Sequence, residues 1–134
     1  MTAIATLLRA LQLFAHNRHH DAKGDTFFGD HEFYGNAYAA FESAYDSVVE
    51  AMCAVAPETL PNLLQIQRDA VTVLGEMNAD TPWDTLLTGE HNLQAELHRV
   101  IGDGAQTDAT INLLAGIAEA SQKRQYFIQR RTAK

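Results

Sequence analysis

One apolar stripe constrains the fold of this chain more than any other feature. Phe27, His31, Tyr34, Tyr38, Phe41, Tyr45, Val48, Met52 and Val55 follow one another at alternating steps of four and three residues. That spacing marks one face of an α-helix, sustained for about 28 residues or roughly 40 Å. Pro57 ends it, because proline interrupts the helical hydrogen-bond ladder.

The rest of the chain follows the same period. Ile4, Leu7, Leu8, Leu11, Phe14 and Ala15 predict a first helix that runs to about Ala22 and stops before Gly24. Residues 60 to 74 predict a short helix, and residues 76 to 81 a loop. Thr81 followed by Pro82 reads as an N-cap and first helical position, with Asp84 supporting the first turn. That helix should reach about Ile101, where Gly102 and Gly104 break it. Thr107 or Asp108 caps the last helix, which carries Ile111, Leu114 and Ile117 on to Phe127 and Ile128. No strand pattern, repeat or low-complexity tract is visible. The expectation is an all-α, single-domain four-helix bundle over residues 1–134, with a short helix in the long crossover (residues 56 to 80) between the second and third long helices.

Composition excludes several function classes. Hydrophobic residues make up 46% of the 134, enough for a real core without disulfides. The single cysteine, Cys53, allows no internal disulfide and suits a reducing cytoplasm. The apolar N-terminal segment lacks a basic leader region and is interrupted by Arg9, which favours a helix over a signal peptide. No apolar run approaches the roughly 20 residues needed to cross a bilayer. Net charge is −7, which argues against nonspecific nucleic-acid binding by the body of the protein. Five bases and no acid lie between Lys123 and Lys134, so residues 1–122 carry −7 − 5 = −12. Those bases either complement the last helix dipole or form a tail for nucleic acid or another partner.

Metal-type ligands gather at one joint. The stretch RHHDAKGDTFFGDHEFYG, residues 18 to 35, holds three histidines and a run of acids around a glycine turn. There is no Glu-x-x-His and no His-Glu-x-x-His in the chain, so a metal site inside a single bundle is poorly supported. His19 continues the packed face of the first helix, and His31 sits in the long stripe. Asp46 and Glu50 lie four apart beside that stripe, where like charges repel unless a cation sits between them. Each has an ordinary reading too: His16, His19 and His20 as helix-end residues, His31 as a satisfied core histidine, Asp46 and Glu50 as solvated acids. His91 and His98 read as surface histidines.

Distance then separates the two pairs. His31 and Asp46 are fifteen positions apart, about 22 Å along one helix, and cannot share an ion within one chain. Two copies of the long helix packed antiparallel across a twofold axis would bring His31 of one copy to the carboxylates of the other, giving two equivalent sites per dimer.

With these residues in place, the sequence resembles the Dps proteins, the miniature ferritins named as DNA-binding proteins from starved cells. The resemblance rests on His19, Gly24, Phe27, His31-Glu32, Asp46 and Glu50 in register. It is specific over residues 19 to 50 and diffuse elsewhere, although KRQYFIQ at 123 to 129 agrees in kind. It implies a ferritin-like fold and a ferroxidase centre shared between subunits. His19 and His31 would come from one subunit, Asp46 and Glu50 from its partner. It further implies a homo-oligomeric hollow shell of twelve subunits that takes up iron, oxidises Fe2+ to Fe3+, preferably with hydrogen peroxide, and stores the ferric product. A mixed nitrogen and oxygen donor set suits iron.

The chain departs from the family pattern at three points. Gly35 stands where the family has an aspartate, so water or Glu32 would have to replace that ligand, and slower chemistry is expected. The basic N-terminal tail of DNA-binding members is missing; the first basic residue is Arg9. His20 replaces the tryptophan that follows the first histidine, as a substitute ligand or a surface residue. The rival expectations are a structural protein of the same fold with a static metal site, and an unrelated four-helix adaptor.

Overall fold

The computed structural model describes residues 1–58 and 61–134. These form α1 (Thr2–Asp21), α2 (Phe27–Val55), α3 (Leu63–Glu76), α4 (Pro82–Gly102) and α5 (Asp108–Thr132), with one 3₁₀ turn at Gly24–Thr26 and no strand among the described residues. The expected start of the short helix at residue 60 lies outside the described residues; from Leu63 onward it is helical.

Local chemistry sets the boundaries. Gly24 turns the corner after α1 with φ of 78°, a conformation that side-chain-bearing residues rarely adopt. The Thr81 hydroxyl accepts a hydrogen bond from the Asp84 backbone N–H at 3.1 Å and donates to the Asp84 carboxylate at 2.9 Å, with Pro82 at the first helical position. Thr107, and not Asp108, caps α5: its hydroxyl accepts from the Thr110 N–H at 3.2 Å.

The helices close a circuit. α1 packs against α2 and α4, α5 packs against α4 and α2, and α3 lies along α1. The Gln67 amide of α3 also donates to the Tyr45 hydroxyl of α2 at 2.9 Å. Ile4, Leu8 and Leu11 of α1 meet Phe41 and Val48 of α2, Leu86, Leu93 and Leu97 of α4, and Leu114 and Ile128 of α5 in one core. Each such buried side chain stabilises the fold by about 1.5–3 kcal/mol relative to exposure.

The long stripe is buried only in part. Tyr34, Phe41, Tyr45 and Val48 enter the core and Ala37 joins them, whereas Val55 is 58% exposed. The reason is length: α2 has 29 residues against 20 in α1, so its last turns run beyond the start of α1. No helix among the described residues is long and apolar enough to cross a membrane.

An ion pair lies in this core. Glu90 of α4 is fully buried; it accepts from the Ser121 hydroxyl at 2.6 Å and from Arg124 through both Nε and Nη2. The same guanidinium lies over the Phe41 ring, 4.3 Å from its centroid. One arginine thus ties α5 to α4 and α2. Arg131 pairs with Asp30 at 3.1 Å and lies 5.3 Å from the Trp83 centroid, so two of the five C-terminal bases are held by acids of the body.

Breaking a buried pair strands a charge at a cost of about 3–5 kcal/mol. Arg124→Met should therefore lower unfolding free energy in urea by that amount, and Glu90→Leu in the same chain should restore most of it. Equal stability of Arg124→Met and wild type would show the pair to be inert. A second expectation concerns Tyr34, whose buried hydroxyl has no hydrogen-bond partner of normal geometry and whose ring stacks on Trp83 at 4.7 Å. Burial raises its pKa from 10.0 to about 12, against the opposing pull of the Arg18 charge. The folded state then holds a proton that the unfolded state releases, so this contribution is present below pH 10 and is lost as pH rises toward 12. Ultraviolet titration should find one of the four tyrosines ionising well after the others.

Candidate functional site

The corner between α1 and α2 turns two histidines into a reciprocal pair. His19 lies in the last turn of α1, where the final four carbonyls have no helical partner. His31 lies just over a turn into α2. The His31 Nδ1 approaches the His19 carbonyl oxygen at 2.9 Å, and the His19 Nδ1 approaches the His31 carbonyl oxygen at 2.8 Å. A carbonyl has no hydrogen to give, so each Nδ1 carries the proton and donates. In the neutral rings each Nε2 keeps its lone pair. This is the arrangement that fixes the tautomer of metal-binding histidines.

The two rings also stack. The His19 and His31 rings lie 3.7 Å apart with planes 22° from parallel, and Phe27 stacks on the far side of His31 at 4.9 Å. Phe27, the first residue of the apolar stripe, therefore packs against a ligand candidate.

Gly35 makes room for this. A Cβ there would sit 3.0 Å from both Cε1 and Nδ1 of His19, closer than ordinary carbon contacts of about 3.5–4.0 Å. The ring thus occupies the place that a side chain at position 35 would fill. The absence of a side chain here goes with close approach of His19 to the α2 backbone. Glu32 lines an open groove with Phe33, Trp83, Phe127, Asp30 and Arg131.

Asp46 and Glu50 stand elsewhere. Both are exposed on α2, about four and five turns beyond His31, and neither makes a hydrogen bond or ion pair among the described residues. Asp46 lines a shallow depression with Glu42, Ser43, Tyr45 and Arg9. Among the described residues, no three His, Cys, Asp or Glu side chains converge on one point. The chain thus brings His19 and His31 together and keeps Asp46 and Glu50 apart from them. Each pair alone supplies an ion with at most two protein ligands. His91 and His98 are exposed.

Two features were not visible in the sequence reading. The buried Glu90–Arg124–Ser121 network had a signal: an acid in the Leu86, Leu93, Leu97 stripe of α4 facing a base and a hydroxyl in the Ile117, Ile128 stripe of α5. The second is a cluster of His16, His20 and Tyr38 beside the reciprocal pair. The His16 ring lies 4.8 Å from His20 and 4.3 Å from Tyr38, and the Tyr38 ring lies 5.3 Å from His19.

The hydrogen bonds predict a measurable tautomer. Nitrogen-15 correlation spectra at a pH where the rings are neutral should show His19 and His31 protonated on Nδ1; protonation on Nε2 in either would contradict the reciprocal geometry. No protein-family model, curated protein or solved structure matches the chain, so what the corner can do rests on its own chemistry.

Proposed function

We propose that this chain is a Dps-like iron-handling protein: an oligomeric, ferritin-like four-helix bundle that oxidises iron(II) at sites shared between subunits and stores the ferric product, with hydrogen peroxide consumed in the process. The observation that carries the reading is the pair of reciprocal bonds between His19 and His31. They leave two oriented Nε2 donors at a helix corner with too few further ligands. Asp46 and Glu50, without partners among the described residues, are the complementary half. An antiparallel twofold packing of α2 would bring the halves together, and the acidic body suits cation uptake. The closed circuit of α1, α2, α5 and α4, with α3 on its outside, supports the ferritin-like assignment. The shell of twelve subunits follows from the family resemblance. Cys53 suits a reducing compartment, and the proposed setting is the cytoplasm.

Iron is the substrate here. Each bound iron(II) gives up one electron; two irons reduce one hydrogen peroxide, and with two protons the products are two iron(III) ions and two waters. Each histidine holds an iron(II) of its own through Nε2, since stacked rings 3.7 Å apart are too close to share one ion. The Asp46 and Glu50 carboxylates favour the more highly charged iron(III), which drives oxidation forward. With no side chain at Gly35, water completes the coordination, and oxidation is slower than with a carboxylate there. DNA is not assigned as a ligand: the body is acidic, and Arg124 and Arg131 are paired with Glu90 and Asp30.

A static metal site in the same oligomer is the second reading, favoured by the missing side chain at Gly35. It predicts metal binding without turnover.

His31→Ala and Asp46→Ala should each slow peroxide-driven iron(II) oxidation at least tenfold while leaving native mass unchanged. The shared site predicts more. Co-assembly of a His19→Ala/His31→Ala chain with an Asp46→Ala/Glu50→Ala chain leaves one intact site in each mixed dimer, so random mixing restores about a quarter of wild-type activity. No recovery in mixed assemblies would place all four residues in one subunit's chemistry or in none, and unchanged rates in the single variants would remove the assignment.

A further inference from the structure

The corner carries a second pair of histidines that the ferroxidase reading does not use. His16 and His20 are four residues apart on α1, one above the other on the same face. Their ring centroids are 4.8 Å apart. Two imidazoles bound to one ion at about 2.0–2.1 Å, with an angle at the metal between a right angle and the tetrahedral value, have centroids about 4.5–5.2 Å apart. The observed separation falls in that window without any movement of α1.

Their nitrogens are uncommitted. Among the described residues, the only histidine ring nitrogens in hydrogen bonds are those of His19 and His31. His16 is half-buried and held against Tyr38, with planes 32° from parallel, whereas His20 is exposed. One imidazole is thus fixed by packing and the other is free to close on an ion from solvent. A cation there also lies in the last turns of α1, the favourable end of the helix dipole.

We propose that His16 and His20 form a bidentate site for a divalent late-transition cation that prefers imidazole, zinc or copper(II), with water in the remaining positions. Nitrogen donors without carboxylates select these ions over iron(II), by ligand type and by the order of divalent affinities. The site lies within one chain and needs no partner, so it stands or falls independently of the shared iron site. Tyr38 touches both, at 4.3 Å from His16 and 5.3 Å from His19, and the His20 ring itself lies 5.3 Å from His19.

Zinc sulfate, titrated calorimetrically into His31→Ala protein, reads this site without the reciprocal pair. One zinc per chain is expected. Adding His20→Ala, or His16→Phe, which keeps a ring on Tyr38 but removes both nitrogens, should weaken that event at least tenfold. Zinc should also raise the melting temperature of the His31→Ala protein and fail to do so in both double variants. Absence of zinc binding in His31→Ala overturns the proposal, as does undiminished binding in either double variant. If His31→Ala loses helicity, the same two substitutions in the wild-type background decide it: each must remove one zinc per chain, and retention of full stoichiometry by either overturns the site.

Discussion

Two side chains at the corner of α1 and α2 each satisfy the other's backbone, and the rest of the site depends on that exchange. The last carbonyls of a helix are acceptors without helical donors, and His31 supplies one of them with an N–H. His19 returns the bond across the corner to α2. The exchange fixes the angle at which the chain enters its longest helix and sets the chemical state of both rings. Structure and chemistry are joined there: the proton that closes the corner is the one whose location frees the opposite nitrogen.

Much of the helical architecture was legible, because each boundary has a local chemical cause. Pro57 stops α2, Thr81 and Pro82 start α4, and Thr107 starts α5. The extent of burial was less legible. The stripe on α2 reads as uniform to Val55, but burial depends on how far the neighbouring helices reach, and α1 is the shorter. Ala37 is buried without a large side chain to announce it. Glu90 was hardest to place, since its burial depends on Arg124, thirty-four residues later, meeting it across the helix interface.

The candidate site divides in the same way. Spacing alone separates His31 from Asp46, because a straight helix has a fixed rise. Spacing cannot reveal that His19 and His31, twelve residues apart, would stack face to face, since that depends on the turn at Gly24 and on the missing side chain at Gly35. In the sequence Gly35 is a residue with no side chain to offer a metal. In the fold it is also the space that admits the His19 ring.

That space has a consequence for substitution at this corner. Ring and carboxylate compete for one volume above the α2 backbone. An acid introduced at position 35 arrives where an imidazole already rests, and a few tenths of an ångström of displacement must pass into the stacked pair and its two carbonyl bonds. The two positions are therefore coupled, and substitutions at them should not be additive. The glycine leaves that volume to the imidazole.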